Sequence, residues 1–398
     1  MKNIKYWIWL TQAIGYCTCS AKQITSLYDS IEEFYLGGER EWRLSGLFSN
    51  TEIEKFCKTD LSVADEIIAK CNQLGYDMIT LDDSYYPQCL KDIDDPPAVL
   101  YISGMLPDID NRLSIAVIGT RRASHYGTSS SYQFAYNLAS VGVTIVSGGA
   151  LGIDCASHRG ALAADGVTIC VLGCGINYNY LMENAKMRSD ITFKGAVISE
   201  YPPDCEPRPF HFPQRNRIIS ALSDGILLIE SGEKSGSLIT VNLGLEQDIN
   251  KKIFALAGTN DPRFSGSNEL IKENVASLVT DYTDILNSYS DLYATTEILP
   301  SALPDGEIID VIPVKGSAPK KINNYDVNNL SEVPVHNHNV ELSNDESTVY
   351  YAINSEPVHI DKISEITNMP VSKLLAVLTM LEIKGLIMCV QGRSYKLK

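Results

Sequence analysis

The sequence contains no apolar run long enough to cross a membrane. Its opening stretch is apolar from Tyr6 to Leu10, but Lys2, Lys5 and Gln12 interrupt or flank it. A membrane helix needs about 20 apolar residues, and a secretory signal needs an apolar core of roughly 7–15 residues before a cleavage site. We therefore expect a cytoplasmic protein that does not bind membranes.

Cysteine pairs of the C-x-x-C type are also absent. The 10 cysteines are scattered through segments that read as helices and strands, and the close pairs are Cys17 with Cys19 and Cys170 with Cys174. Zinc and thiol-redox sites usually need two cysteines separated by two residues. The pattern predicts buried free thiols, and we expect neither a metal nor another cofactor.

Basic residues are in deficit, which is unusual for a nucleic-acid-binding protein. The net charge is −16, whereas DNA-binding domains usually carry a basic patch. The deficit is uneven: residues 110–280 hold 15 basic and 16 acidic groups, against 9 and 17 in 1–109, 3 and 11 in 281–345, and 6 and 5 in 346–398. The middle of the chain is nearly neutral, and its basic residues cluster in short glycine-containing loops.

The common nucleotide-binding and catalytic fingerprints are missing too. The glycine-rich run 147–152 lacks the G-x-G-x-x-G spacing of dinucleotide-binding folds, and no Gly-Lys-Ser/Thr motif is present to hold a triphosphate. The six histidines show no regular metal spacing and no evident serine or cysteine partner. The sequence therefore predicts a binding protein without catalytic residues.

What the chain does contain is a regular alternation of strand and helix patterns. From residue 114 onward, short β-branched runs such as S-I-A-V-I-G and G-I-L-L-I-E alternate with helical patterns. Strands that are apolar on both faces and separated by helices are typical of a parallel, doubly wound α/β sheet. Ligands of such sheets bind beyond the carboxyl ends of the strands.

Changes of pattern divide the chain into four predicted regions. Residues 1–90 read as a small helical domain, and 91–280 as the α/β core. Residues 281–345 lose periodicity and gain acidic groups, which predicts a flexible linker. Residues 346–398 show three helical patterns followed by a hairpin, the order of a winged helix-turn-helix.

Two predicted loops combine glycine with basic or polar residues. In Gly119-Thr120-Arg121-Arg122-Ala123-Ser124, Ser124 can cap the next helix, so that two guanidiniums lie at a helix amino terminus, which suits a phosphate. The glycines of residues 147–154 allow a backbone to approach a ligand closely or to adopt positive φ. The alternative for the first loop is a plain strand–helix turn with solvated arginines.

A third segment, residues 210–217, reads F-H-F-P-Q-R-N-R and is predicted as a loop ahead of a helix over 218–222. Rings beside guanidiniums are the components of single-strand recognition, because rings stack on bases and charges pair with the backbone. The structural alternative is that Phe212 and Pro213 anchor the helix entry while Asn216 and one arginine tie loops together.

A fourth loop, residues 231–237, places Lys234 among hydroxyls and amides that favour an anion. An alternative assigns Glu230 and Glu233, with Asp154 or Glu200, to acid–base chemistry in a nucleotide hydrolase. His158 is expected to be a packed histidine rather than a base.

Together, these segments resemble the DNA processing protein A (DprA/Smf) family. The similarity covers roughly residues 80–275 and rests on AVIGTRRASHYG, VSGGALGID, ISE, FPQRNRII and KSGSLIT in this order. Several joint matches are more specific than any single motif. The resemblance implies an extended Rossmann-like, mainly parallel sheet, flanked by a helical domain like a sterile alpha motif (SAM) and by a C-terminal winged helix.

The resemblance also implies a function. Members of the family bind single-stranded DNA, form dimers and load the RecA recombinase onto DNA in natural transformation and recombination. Arg121 resembles the DNA-contacting arginine of the family, and Arg215, Arg217 and Lys234 match its other basic positions. The predicted DNA-binding set is Gly119, Thr120, Arg121, Arg122, Ser147, Gly148, Gly149, Gly152, Phe212, Arg215, Asn216, Arg217, Lys234, Ser235 and Gly236.

The chain departs from the family pattern at three places. Residues 180–184 read Y-L-M-E-N, so that a DNA-facing lysine of the family is missing there. Ala257 replaces the proline of a Pro-Gly pair, and the segment 274–276, N-V-A, replaces a Gly-Ala pair.

Two other hypotheses stay open at this point. One is a Rossmann-like nucleotide sensor or nucleoside monophosphate phosphoribohydrolase, although the P-G-G-x-G-T-x-x-E motif of those enzymes is absent. The other is a regulator that binds duplex DNA through the winged helix, although its third helix offers only Lys373 and Lys384. With four or five phosphate contacts, the mediator hypothesis predicts a log–log salt slope of about −3 for single strands.

Overall fold

The computed structural model describes residues 3–290 and, beyond them, 349, 353, 358–367, 369, 374, 377–378, 381, 387–390 and 394–397. These residues fall into two compact units, one holding 3–290 and the other the described residues from 349 onward. No helix within these ranges is long and apolar enough to cross a membrane. Residues 291–345 of the predicted linker lie outside the described residues.

The first unit begins with the predicted helical region. The third helix of this region continues across a kink at Gly38, where φ is 67°. Trp42, beyond the kink, packs on Phe34 with ring centroids 5.7 Å apart, and this aromatic contact holds the continuation in place. The five helices are α1 (Ile4–Ile14), α2 (Ser20–Leu27), α3 (Ile31–Ser45), α4 (Asn50–Lys58) and α5 (Ser62–Leu74).

A nine-stranded mixed sheet forms the centre of this unit. Its strands are β1 (Asp77–Thr80), β2 (Val99–Gly104), β3 (Ser114–Ile118), β4 (Thr144–Ser147), β5 (Thr168–Leu172), β6 (Ala196–Ser199), β7 (Gly225–Leu228), β8 (Lys252–Leu256) and β9 (Ser277–Val279). Their order is β1-β2-β6-β5-β4-β3-β7-β8-β9. Strands β3 to β9 pair in parallel, whereas β2 is antiparallel to β6 and β1 to β2.

The order of the strands reverses beside β3. The chain builds β4, β5 and β6 on one side of β3 and then returns to build β7, β8 and β9 on the other. This reversal is the topological switch point, at which doubly wound folds bind ligands. The predicted doubly wound, mainly parallel α/β fold is confirmed.

Helices cover both faces of the sheet. Alternate residues of β3 point to opposite faces and therefore pack into two different core clusters. Ile115 and Val117 share one core cluster with Phe134, while Ala116 and Ile118 share another with Ile218. The remaining helices of the unit are α6 (Gln88–Asp92), α7 (His125–Ser140), α8 (Ile153–Ala163), α9 (Ala185–Ile191), α10 (His211–Ala221), α11 (Gly236–Gln247), α12 (Ser265–Lys272) and α13 (Tyr282–Asn287).

The folded core continues past residue 280, where the linker was expected to start. Ile285, in α13, is fully buried in the same cluster as Val117. This helix is hard to predict because it is short and is flanked by polar residues.

The second unit contains a small three-stranded sheet and an apolar core. The strands are β10 (Val358–His359), β11 (Ile387–Val390) and β12 (Ser394–Leu397), in the order β10-β12-β11, and a helix, α14 (Ile360–Thr367), follows β10. The expected hairpin corresponds to β11 and β12, which pair antiparallel. Strand β10 extends it by a third strand.

Candidate nucleic-acid interface

Three loops meet at the carboxyl edge, defined here as the edge at which β3, β4, β5 and β7 end. The first loop, 119–124, follows β3. The second, predicted over 147–154, spans 148–152 after β4, and the fourth, predicted over 231–237, spans 229–235 after β7. Gly152 positions the first loop, since its φ is +80° and a Cβ there would lie 2.8 Å from the main-chain oxygen of Arg121. A side chain at position 152 would displace Arg121.

Arg121 lies over an aromatic ring at this edge. Its side chain is exposed, and the guanidinium carbon is 5.1 Å from the centroid of the Phe212 ring. Phe212 in turn contacts Tyr180, with centroids 5.3 Å apart and planes tilted by 39°. Both rings are half-buried. We call Arg121, Phe212 and Tyr180 the aromatic–arginine stack; such a group can stack on a base and pair with a phosphate.

Residues 211–217 are helical and only Phe210 precedes the helix, so the prediction of a loop over 210–217 is wrong. Helix α10 starts at His211, so Pro213 is its third residue. Proline is tolerated in the first turn because the amide it lacks has no partner within the helix there. The helix gives Phe212 and Arg215 a common face, three residues apart.

Arg215 is buried beneath the carboxyl edge. Its side chain is 3% exposed, Nη1 donates to the main-chain oxygen of Val171, and the guanidinium packs so closely on Gly148 that a Cβ there would overlap it. Burial lowers the pKa of Arg215, and the Asp154 carboxylate partly offsets this. Burial also raises the pKa of Asp154, against the effect of Arg215. In this structure the Arg215 guanidinium therefore supports the second loop from beneath and is not exposed at the carboxyl edge.

Arg217 is held in an internal ion pair, which corrects its expected role as a phosphate contact. Its Nη2 and Nη1 lie 2.7 and 2.9 Å from the two carboxylate oxygens of Glu200, and its Nε lies 3.0 Å from Asp95. Burial alone would lower the pKa of Arg217, but the Glu200 carboxylate raises it. The side chain is 2% exposed, so its charge already has partners.

Two other predicted cations remain exposed. Arg122 and Lys234 are both on the surface, and neither forms an ion pair with any residue that the structure describes. Lys234 precedes Ser235, whose hydroxyl caps α11 by accepting from the amide of Ser237. Gly236 is the first residue of that helix, and a Cβ there would meet nothing within 4 Å.

The remaining predicted residues have mixed placements. Ser147 is fully buried and donates to the main-chain oxygen of Val117 at 2.7 Å, so its hydroxyl faces β3 and not a ligand, contrary to expectation. Gly149 is buried with φ +65°. Asn216 is half-buried on α10. Gly119 and Thr120 lie in the first loop, where the amide of Thr120 donates to the main-chain oxygen of Glu230.

The amino terminus of α7 is not vacant. Ser124 caps this helix as predicted, accepting from the amide of Gly127. However, the Ser124 amide and hydroxyl both donate to the Glu230 carboxylate, with oxygens 3.0 and 2.6 Å away. The sequence predicts a phosphate at this terminus, but in the structure the Glu230 carboxylate occupies that position.

Three of the four acid–base groups proposed for a nucleotide hydrolase are engaged in other contacts, whereas the fourth, Glu233, is exposed. Glu200 pairs with Arg217, Glu230 binds the start of α7, and Asp154 is buried beside Arg215. His158 is fully buried, and its Nδ1 lies 2.8 Å from the hydroxyl of Thr168. This is the packed histidine that the sequence suggested.

Sequence reasoning left Tyr180 out of the predicted site. The signal was the aromatic residue after Gly173-Cys174-Gly175, at the end of a predicted strand. Met182 and Glu183 are exposed beside it, where the family pattern has a lysine. Among the described residues, no group of three or more His, Cys, Asp or Glu side chains could hold a metal ion.

The fold and the site define a doubly wound α/β protein with an exposed arginine–aromatic surface at its carboxyl edge. The family model of DNA recombination-mediator protein A matches residues 77–290, and the model of the DprA winged helix domain matches residues 337–393. The chain therefore belongs to the DNA recombination-mediator protein A family.

Individual relatives agree with this membership. The chain is 39% identical to Protein Smf of Escherichia coli over 218 residues, which cover 54% of this chain but only 57% of that protein. DNA processing protein A of Streptococcus pneumoniae superposes with a TM-score of 0.62 at 31% identity, covering 72% of this chain and 98% of that one. The Helicobacter pylori protein, solved to describe its single-stranded DNA binding mode, gives a TM-score of 0.50 at 31% identity over 55% of this chain and 97% of that one.

Proposed function

We propose that this chain binds single-stranded DNA along its carboxyl edge and acts as a recombination mediator, not as an enzyme. The observation that carries the proposal is the aromatic–arginine stack, in which the exposed Arg121 guanidinium lies 5.1 Å above Phe212. A base can stack on a ring of this kind while the neighbouring cation neutralises its phosphate. Because neither contact reads a base edge, binding depends little on sequence.

The exposed cations extend this site along the sheet edge. Arg121 and Arg122 follow β3, and Lys234 follows β7, which is the neighbouring strand. A strand spacing of about 4.8 Å keeps such loops within reach of one nucleic-acid backbone. The direct phosphate contacts in this proposal are therefore Arg121, Arg122 and Lys234, while Arg215 acts from behind by holding Gly148.

Family membership supports the wider role. The H. pylori relative binds single-stranded DNA, and the matched family model is that of a recombination mediator. By that kinship we propose that the protein is a cytoplasmic homodimer that loads RecA onto single-stranded DNA during DNA uptake and recombination.

The DNA-binding part is tested with Arg121→Ala, using Arg112→Ala as the matched control. Arg112 is also exposed, but it precedes β3 and so lies at the opposite edge of the sheet. Fluorescence anisotropy of a labelled oligothymidine with the full chain should show an affinity loss of about tenfold for Arg121→Ala and none for Arg112→Ala. Equal affinities for a folded Arg121→Ala and the wild type would refute the proposal.

The mediator part needs its own assay. Wild-type protein should speed the assembly of RecA filaments on single strands that are already covered by single-strand-binding protein, and Arg121→Ala should not. If the wild-type protein binds single strands tightly but leaves RecA assembly unchanged, the proposed binding function stands and the proposed mediator role is wrong.

A further inference from the structure

The amino terminus of α7 occupies a special position in this topology. Helix α7 follows β3, the first strand of the doubly wound part, and lies at the switch point beside β7. In dinucleotide-binding folds of this type, the pyrophosphate sits at the start of the corresponding helix, held by free amides and the helix dipole. This chain has the helix and the turn but not the glycine pattern.

A side chain fills that position here. Glu230 extends from the end of β7 and is fully buried. Its carboxylate accepts the Ser124 amide at 3.0 and 3.1 Å and the Ser124 hydroxyl at 2.6 Å. Its main-chain oxygen accepts the amide of Thr120 at 2.8 Å.

Within the described part of the chain, this buried carboxylate forms no ion pair, although Arg263 interacts with it electrostatically without direct contact. The groups that contact the Glu230 carboxylate are the amide and hydroxyl of Ser124 at the start of α7. Those are the interactions that a bound phosphate would use. Gly127 lies so close that a Cβ there would overlap the Glu230 carboxylate, which shows how little free space surrounds it.

We propose that Glu230 is a specificity-determining residue, an internal anion that occupies the phosphate position of the fold and excludes inorganic phosphate and free nucleotides from the switch point. A phosphate would lose the Ser124 donors and would face a like charge in a buried setting, where such repulsion is strong. Anion recognition is thereby confined to the exposed cations outside. The cell's abundant mononucleotides then do not compete at this position.

The test removes the carboxylate and supplies an anion in its place. Thermal unfolding of the full chain is measured for wild type, Glu230→Ala and Glu233→Ala, in potassium phosphate and in potassium chloride of equal ionic strength. Glu233 is the control because its side chain is exposed three residues away in the same loop. Phosphate should raise the midpoint of Glu230→Ala by several degrees more than that of the wild type or of Glu233→Ala. Calorimetry should show that adenosine monophosphate binds to Glu230→Ala alone.

Either of two results would overturn the proposal. One is a wild type that gains as much from phosphate, or binds the nucleotide as well, as Glu230→Ala does. The other is a folded Glu230→Ala with no gain of anion binding. If Glu230→Ala does not fold in chloride, Glu230→Ser retains a hydroxyl near Ser124 and is held to the same criterion. Failure of both variants to fold even in phosphate would also refute the idea, because phosphate should replace the missing anion. None of these readouts involves DNA, so they stand apart from the proposed function.

Discussion

Phe212 is the residue at which base stacking can be tested apart from charge. Replacing it with leucine keeps an apolar side chain on α10 but removes the ring beneath Arg121. Stacking on one aromatic side chain contributes about 1–3 kcal/mol per base, so the affinity of Phe212→Leu for oligothymidine should fall roughly tenfold. Anisotropy titration at fixed salt measures this change.

The control for that substitution is Phe193→Leu. Phe193 is 78% exposed and precedes β6, away from the carboxyl edge. It should bind DNA like the wild type. If the two variants lose affinity equally, or if neither does, the ring of Phe212 is not a stacking platform.

His158 gives the protein a pH-dependent stability. Because the Thr168 hydroxyl donates to Ile145, Nδ1 of His158 must be the donor in that pair, and Nε2 has no hydrogen-bond partner among the described residues. Burial lowers the pKa of His158 from 6.5 to about 3, with a smaller effect of Arg215 in the same direction.

The sign of the pH effect follows from proton uptake. Below pH 6.5 the unfolded chain binds a proton at this histidine that the folded chain refuses until about pH 3, so stability falls as pH decreases through this window. At pH 5 the loss is about 2 kcal/mol, from 1.36 kcal/mol per pKa unit. Denaturant unfolding at pH 7 and 5 should show a smaller loss for His158→Asn than for wild type. The variant His125→Gln, at an exposed histidine, should lose as much stability between pH 7 and pH 5 as the wild type. A loss for His158→Asn equal to that of the wild type would contradict the prediction.

For individual side chains, the sequence identified the basic positions but not which of them are exposed and which are buried. Arg121, Arg215 and Arg217 all stood in motifs that suit a phosphate, yet only Arg121 is exposed. A motif specifies residue types along the chain, whereas burial depends on contacts with distant segments. Glu200 and Asp95, which engage Arg217, are 17 and 122 residues from it in sequence.

At the scale of elements, Gly152 connects the second loop to the first. An alanine at this position would have to adopt a φ of +80°, and its Cβ would overlap the main-chain oxygens of Thr120 and Arg121. Gly152→Ala should therefore displace the first loop and lower the affinity for single strands, besides reducing stability by roughly 1 kcal/mol or more.

Gly46→Ala separates these two effects. Gly46 also has a positive φ, +67°, but a Cβ there would meet nothing within 4 Å, and the residue ends α3 in the helical region. This variant should lose stability through backbone strain while keeping its DNA affinity. Equal DNA affinity for Gly152→Ala and Gly46→Ala would show that the first loop does not depend on Gly152.

The central elements of the fold were predictable because their patterns are local. Strands β3 to β8 and helices α7, α8 and α11 follow from apolar runs and caps such as Ser124, whereas β9, of three residues, was not predicted. The helical start of α10 was missed because Pro213 reads as a breaker, although it is harmless in a first turn. Helices α9 and α12 are short, and contacts made elsewhere in the chain settle their boundaries.

The buried ion pairs of Arg217 connect separate segments of the first unit. Arg217 from α10 meets Asp95 in the segment before β2 and Glu200 after β6, and Glu200 also accepts the amide of Cys17 at 3.2 Å. Removing one partner of a buried ion pair typically costs about 3–5 kcal/mol. Arg217→Met should thus unfold at markedly lower denaturant, whereas exposed Arg208→Met should not. A small change in the unfolding of Arg217→Met would mean that these ion pairs contribute little to the stability of the first unit.

At the scale of the whole molecule, an acidic protein is proposed to bind a polyanion. The net charge of −16 disfavours long-range attraction, so affinity must come from local contacts at the carboxyl edge. Since Arg215 and Arg217 are buried, three direct phosphate contacts remain in place of the four or five expected from sequence. At about 0.7 per contact for single strands, the log–log salt slope should be about −2 rather than −3.

This slope can be measured by titrating oligothymidine between 50 and 200 mM salt, over which the wild-type affinity should fall roughly 15-fold. The triple variant Arg121→Ala, Arg122→Ala, Lys234→Ala should show weak and nearly salt-independent binding, because its remaining contacts are with bases. Arg112→Ala should keep the wild-type slope. A wild-type slope of −3 or steeper would mean that further cations, such as Arg215, move to the surface when DNA binds. If the wild-type affinity does not change with salt, phosphate contacts are excluded and the proposed site is wrong.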